Sequence, residues 1–243
     1  MSTGVMMYRV KEASPRLRSR IAGAFYLLMI LAGGLALFAR RGLIVSGDAA
    51  ATATNILAHE PSFLLSFTAE ILVVAFYLVV TALFYELFKP VNRSISLLAA
   101  FFGLAGCIIQ AGACTFYLAP LVVLGDAPYL NVFKTEQLQA LAYMFLKLYS
   151  QTYGIDLVFF GFFDLLIGHL IFKSTFLPRI IGVLMMIAGL GGLTFLSPPF
   201  GAKYLPYIVA TSIGEFVLTL WLIVKGVNVR RWEEQAGAGI DPQ

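Results

Sequence analysis

Carboxylic acids inside long apolar segments are the residues of this sequence best placed to do chemistry. Glu70, Asp156 and Glu215 each lie within such a segment, and Asp164 and His169 follow Asp156 in the same one. On insertion scales an acid at the centre of a membrane span costs roughly 2.5–3.5 kcal/mol, so it is usually retained for pairing, binding or proton transfer. The alternative is that each acid is protonated or bonded to a neighbouring helix and only positions the bundle.

The signature motifs of soluble enzymes are absent from the sequence, which holds no GxGxxG, GxxxxGK[ST], HExxH, GxSxG or CxxC. Its two cysteines, Cys107 and Cys114, are seven residues apart on one predicted helix, a rise of about 10 Å that is too long for a disulfide. Carboxylates without histidine or cysteine neighbours disfavour zinc, although three of them suit a hard cation or shared protons. We assign no metal site and no cofactor.

The composition indicates a membrane protein. Hydrophobic residues make up 60% of the 243 and charged residues 12%, against roughly 45–50% and 25% in soluble domains. The formal charge is +4, but the basic residues stand between apolar segments and form no long tract. This distribution favours membrane orientation over nucleic-acid binding. The lipid bilayer is the expected partner, and the sequence leaves the oligomeric state open.

Six apolar segments are long enough to cross a bilayer as helices. Their continuous apolarity lacks the alternation of a membrane barrel, and backbone amides in lipid must be paired within a helix. We predict an all-α, polytopic transmembrane helical bundle of about six spans over residues 20–228, flanked by tails at 1–19 and 229–243. The predicted spans are 21–38, 62–88, 94–118, 153–172, 177–196 and 204–224.

Basic residues between the predicted spans indicate the orientation. Twelve lie on the side of both termini and four on the other side, with Lys147 left unassigned. Because cytoplasmic loops carry the excess of lysine and arginine, we predict a multi-pass protein of the cytoplasmic (inner) membrane with both termini in the cytoplasm. The twelve are Arg9, Lys11, Arg16, Arg18, Arg20, Lys89, Arg93, Lys173, Arg179, Lys225, Arg230 and Arg231.

Two segments on the outer side are predicted to be helical without spanning. Residues 48–58 are rich in alanine and begin with Asp48 as an N-cap, and residues 135–150 form an amphipathic stretch. We expect short helices at the outer surface. The alternative for the second is one long helix that runs into the fourth span and bends near Gly154.

The predicted depths group the polar side chains into a site. The second, fourth and sixth spans run in one direction, so Glu70 and Glu215 are expected at similar depth, about 12 to 15 Å below the outer surface. Lys147 is expected to pair with Asp156 near the mouth. We predict an outward-facing cavity whose ligand-binding candidates are Glu70, Gln110, Asp156, Glu215, Lys147, Tyr149 and Tyr153.

Several segments together resemble a known membrane-protein family of bacteria, the domain of unknown function 4386. They are RIAGAFYLL (20–28), GDAAATATNILAHEP (47–61), YELFKPVNRSISLLAAFF (85–102), LPRIIGVLMMIAGLGGL (177–193) and GEFVLTLWLIVKGVN (214–228). The resemblance implies a six-helix membrane protein of unassigned activity and supplies no catalytic residue. Where related members tend to have histidine in the fourth span, this chain has Asp164, which argues against a histidine-based mechanism.

Three functions remain open at this point. The first is binding or carriage of a small molecule, cation or proton in the predicted cavity. The second is a membrane-embedded enzyme acting on a lipid or quinone-like substrate, with Asp156 or Glu215 as general acid or base. The third is a non-catalytic partner or sensor subunit. A polar cavity reachable from both sides favours a carrier, an apolar lateral opening favours the enzyme, and a solid core favours the subunit.

Overall fold

The computed structural model describes residues 14–201, 203–204 and 212–238, and within them the chain is helical and contains no β-strand. Long apolar helices account for most of it. They are α1 (Pro15–Ala39), α3 (Glu60–Phe88), α4 (Arg93–Val123), α5 (Thr135–Lys173) and α6 (Arg179–Leu193), and α6 continues into a 3-10 turn, Thr194–Leu196. Shorter helices are α2 (Ala49–Ala58), α7 (Ile213–Val224) and α8 (Val229–Ala238), and Pro128–Val132 forms another 3-10 turn.

Five helices among the described residues are long and apolar enough to cross a membrane, namely α1, α3, α4, α5 and α6 with its 3-10 turn. They coincide with the first five predicted spans, which confirms the all-α bundle. The sixth predicted span, 204–224, is described as a helix over α7, and residues 205–211 lie outside the described residues.

Helix starts follow the capping residues in the sequence. The Asp48 carboxylate accepts the backbone N–H of Ala51 at 2.8 Å at the start of α2, as predicted, and the Asn92 side chain accepts the N–H of Ile95 at 2.9 Å at the start of α4. Both side chains satisfy an amide that has no partner within its helix.

The predicted separate surface helix at 135–150 is wrong, and the continuous alternative is what forms. Helix α5 runs unbroken through 39 residues, about 58 Å at 1.5 Å per residue, which exceeds the roughly 30 Å apolar core of a bilayer. No proline interrupts the segment. The first part of α5 packs beside α2, where the Gly47 N–H donates to the Tyr143 hydroxyl at 2.8 Å.

Helix α5 lies at the centre of the bundle, and glycines allow α6 to approach it closely. A Cβ added to Gly161 would lie 2.8 Å from the carbonyl oxygen of Gly189, and one added to Gly168 would lie 2.7 Å from that of Gly182. The two pairs are seven residues apart on each helix, so the backbones touch along one seam. Gly192 lies in the same seam, since a Cβ added to it would lie 2.6 Å from the carbonyl oxygen of Leu157.

Both described ends of the chain meet at one end of the bundle. The Arg20 guanidinium donates to the carbonyl of Val224 at 3.3 Å, and the Val227 N–H donates to Ser19 Oγ at 3.2 Å. Trp232 of α8 donates its indole N–H to the carbonyl of Leu87 at 2.9 Å. We call this the terminal end and the other the opposite end. Having α1 and α7 reach the same end agrees with an even number of crossings.

A layer of buried aromatic rings lies between the middle of the bundle and the terminal end. Phe84, Phe88 and Phe163 are fully buried there; the Phe84 ring stacks on Phe163 at a centroid distance of 6.3 Å and meets Phe88 edge-on at 5.7 Å. Leu218 and Leu222 of α7 complete the same apolar cluster.

Candidate functional site

Buried polar side chains occur at two levels of the bundle. Those of the middle level lie nine to eleven residues from the terminal end of their helices, about 14–17 Å at 1.5 Å per residue. Those of the upper level lie 17 or 18 residues away, about 26–27 Å. The middle level contains Tyr26, Tyr77, Asp164 and Glu215, and the upper level contains Glu70, Gln110 and Asp156.

A cavity of about 230 Å³ connects the two levels, with walls from α1, α3, α4, α5, α6 and the start of α7. Asp156 and Gln110 line its upper part, and Asp164 and Glu215 line its lower part. Between them the wall is formed mainly by Met29, Val73, Tyr77, Tyr153, Leu157 and Phe160. The described lining includes no lysine, arginine or histidine, so three acids face one space without a cationic side chain.

Several oxygens on this wall find no hydrogen-bond donor among the described residues. They are both carboxylate oxygens of Asp156, Oδ1 of Asp164 and Oε1 of Gln110. Asp156 is 1% exposed and Asp164 5%. Buried polar groups are nearly always hydrogen-bonded, and leaving one unpaired costs about 1–3 kcal/mol, more for a charged group. This group of acceptors therefore points to a donor that the protein itself does not supply.

Glu215 has hydroxyl partners at the middle level, Tyr26 and Ser212. Its Oε2 accepts a hydrogen bond from the Tyr26 hydroxyl of α1 at 3.1 Å. Asp164 lies close enough to Glu215 for their charges to interact. Two ionised carboxylates whose charges interact repel each other, so a proton on one of them or a cation between them would stabilise the pair.

Glu70 belongs to a network at the upper level in which both of its carboxylate oxygens are hydrogen-bonded. Its Oε1 accepts from the Arg40 guanidinium at 2.8 Å and from the Tyr149 hydroxyl at 3.0 Å, and its Oε2 accepts from Gln110 Nε2 at 3.2 Å. Arg40 also donates to the Tyr149 hydroxyl at 2.6 Å. The network joins α1, α3, α4 and α5 beside the cavity.

Comparison with known proteins places the chain in a family without an assigned activity. Residues 21–226 match the family described as Domain of unknown function (DUF4386). The chain belongs to this family. An uncharacterized protein of the archaeon Archaeoglobus fulgidus is 25% identical over 155 residues, which cover 64% of this chain and 80% of that protein. No solved structure matches.

All acids of the cavity fall within the residues that define membership of the family. Membership identifies no activity, ligand or source organism, and the relative found is archaeal. The function must therefore be argued from the cavity itself.

The structure brings four of the seven candidate residues to the cavity wall: Gln110, Tyr153, Asp156 and Glu215. Glu70 and Tyr149 lie beside it in the Arg40 network. The predicted similar depth of Glu70 and Glu215 is wrong, because Glu70 lies 18 residues from the terminal end of α3 and Glu215 lies nine from that of α7. Depth counted from the predicted start of each span therefore misplaces Glu70.

The predicted ion pair between Lys147 and Asp156 is also wrong. The two residues are nine positions apart on one helix, about 13 Å along its axis. Lys147 is exposed and its ammonium lies 5.1 Å from the centre of the Tyr143 ring. Asp156 therefore has no cation from its own helix.

Sequence reasoning gave too little weight to Asp164, Arg40 and Tyr26. Asp164 follows Asp156 by eight residues, two turns along one helix, and this spacing was a usable signal. Arg40 directly follows α1, and in the sequence it looks like an ordinary charged loop residue. Its pairing with Glu70 depends on how α1 packs against α3. The sequence does not indicate a site role for Tyr26, since a tyrosine in an apolar segment usually only packs against its neighbours.

A separate apolar groove of about 340 Å³ runs between α3, α4 and α5. Its wall includes Phe67, Ile71, Cys114, Leu118 and Phe145, and none of its described lining residues is acidic. The groove is apolar, as the enzyme hypothesis expects of a lateral opening, but its described lining supplies no carboxylate that could act as general acid or base.

Proposed function

We propose that this membrane protein binds a small organic cation in the cavity between Asp156, Asp164 and Glu215. The observation that carries the proposal is a buried space with three acids, four unpartnered acceptor oxygens and no cationic side chain in its described lining. Burying uncompensated negative charge is costly in a protein and more so in a bilayer, so a bound cation or protons must offset it.

Size and composition favour an organic cation over a metal ion. The described residues contain no group of three histidine, cysteine or acidic side chains that could hold a metal. A volume of about 230 Å³ corresponds to roughly seven or eight waters at about 30 Å³ each. The Tyr77 and Phe160 rings, 4.3 Å apart at their centroids, line the same space and can attract a cation through their faces.

Access is proposed from the opposite end of the bundle. The aromatic layer of Phe84, Phe88 and Phe163 separates the cavity from the terminal end, and the excess of basic residues at the terminal end favours the cytoplasm for that side. The ligand then enters the cavity from the non-cytoplasmic side of the membrane. Carriage across the membrane would require this layer to open.

A thermal-unfolding panel on the purified protein tests the proposal. Alkylammonium ions are compared with neutral alcohols of the same shape, and we expect only the cations to raise the melting temperature, since a ligand at about a hundred times its Kd contributes roughly 2.7 kcal/mol. Asp164→Asn should abolish the shift, whereas Glu60→Gln, at an exposed acid, should retain it. Equal shifts from alcohols and ammonium ions would contradict the proposal.

A further inference from the structure

The cavity has acceptors at both ends and an apolar middle. Asp156 and Asp164 are eight residues apart on α5, about 12 Å along the helix axis. Met29, Val73, Leu157 and Phe160 form much of the wall of the same cavity. A compact single cation that contacts one end leaves the acids of the other end without a partner.

The upper end offers three acceptors to one donor group. Gln110 uses its Nε2 to donate to Glu70, which accepts only, so the amide oxygen is left for the cavity. Together with the two oxygens of Asp156 it makes three unpartnered acceptors on one wall. A primary ammonium carries three N–H donors, whereas a quaternary ammonium carries none.

The lower end offers a second anionic position. Asp164 Oδ1 has no donor among the described residues, and the described partners of the Glu215 carboxylate are neutral hydroxyls, those of Tyr26 and Ser212. A second ammonium between these two carboxylates would separate their charges and supply the missing donors.

We propose that the ligand is a linear dication with a primary ammonium at each end and a methylene chain between them. This inference rests on the proposed function and narrows its ligand class to α,ω-diamines and related polyamines. With about 2.8 Å for each N–H···O contact, a 12 Å separation leaves about 6–7 Å between the two nitrogens. Four or five methylenes put about five or six bonds between the nitrogens, and at roughly 1.2 Å of advance per bond along an extended chain they cover that distance.

Calorimetric titration of the purified wild-type protein with α,ω-diamines of increasing length, and with the n-alkylamine of each length, tests this inference. We expect the affinity to peak at about four or five methylenes, with each matched alkylamine at least about tenfold weaker. Asp156→Asn and Asp164→Asn should each bring the diamine down to the affinity of the alkylamine. The matched control Glu60→Gln should keep the wild-type preference.

The outcomes separate the two proposals. If alkylamines bind as tightly as diamines, or if the affinity does not depend on chain length, the proposal of a linear dication is wrong. The proposed binding of a cation would remain. If no amine binds to protein that unfolds cooperatively, both proposals fail. Tight binding of tetramethylammonium in preference to methylammonium would also overturn the inference, since a quaternary ion cannot donate.

Discussion

The side-chain amide of Gln110 donates to Glu70 at 3.2 Å, and this bond connects the Arg40–Glu70 ion pair to the wall of the cavity. Glu70 thereby does two things without touching the cavity itself. It neutralises Arg40 at the end of α1, and it fixes which side of the Gln110 amide faces the proposed ligand. The acids of the bundle therefore have different roles, and substitutions should distinguish them.

Glu70→Gln should destabilise the protein, because it leaves the buried Arg40 without its counter-charge. Breaking a buried ion pair by removing one partner costs roughly 3–5 kcal/mol, so the melting temperature in detergent should fall clearly. The double variant Arg40→Leu with Glu70→Leu should recover part of the loss, since apolar replacement of a whole pair is often neutral. A melting temperature unchanged by Glu70→Gln would mean that the Arg40–Glu70 ion pair contributes nothing to the stability of the protein.

Asp156→Asn should leave the melting temperature unchanged or raise it. This carboxylate accepts no hydrogen bond from the described residues, and a neutral amide is less costly to bury than a charge. The measurement is the same thermal unfolding without ligand. A loss of stability as large as that of Glu70→Gln would show that Asp156 is a structural partner.

Gly189→Ala should destabilise the α5–α6 seam. The added Cβ would lie 2.6 Å from the carbonyl oxygen of Gly161, and backbone atoms cannot move aside as a side chain can. Overpacking of this kind costs about 1–3 kcal/mol. Gly34→Ala is the matched control, because a Cβ there meets nothing within 4 Å. Equal melting temperatures for the two variants would contradict the close seam.

Reporter fusions test the orientation. Fusions after residues 92, 175 and 235 should report the cytoplasm, and fusions after 50, 130 and 200 the other side, because basic residues are concentrated at the terminal end. Insertion of a glycosylation or thiol-labelling site at the same positions is the independent check. A fusion after 235 on the outer side would contradict both the orientation and the even number of crossings.

Hydropathy was sufficient to predict the five long spans, because a bilayer requires long apolar helices and little else in this chain is apolar for that length. Hydropathy could not predict where α5 begins, since the amphipathic stretch after Thr135 fits a separate surface helix as well as it fits the first part of one long helix. The depth of Glu70 was mispredicted for a related reason: α3 has 29 residues, and the sequence does not show which part of so long an apolar helix lies level with the shorter α7.

The sequence predicted the kind of polar site, a cavity lined by carboxylates, but only some of the residues that form it. Asp156, Gln110 and Glu215 reach the cavity because each interrupts an apolar helix on the face that meets its neighbours. Arg40 could not be assigned from sequence, since a charge after a span reads as a border residue. Its bond to Glu70 depends on the crossing of α1 over α3, which no local pattern encodes.

Equilibrium dialysis of a labelled diamine of about four methylenes tests the central claim most directly. Wild-type protein is compared with the triple variant Asp156→Asn, Asp164→Asn, Glu215→Gln, each reconstituted in neutral lipid so that membrane charge does not retain the label. Losing one partner of a buried charge pair costs roughly 2–5 kcal/mol. We therefore expect saturable binding of the diamine by the wild-type protein and binding at least about a hundredfold weaker by the triple variant. Equal binding by both proteins would contradict a cation site in the acidic cavity.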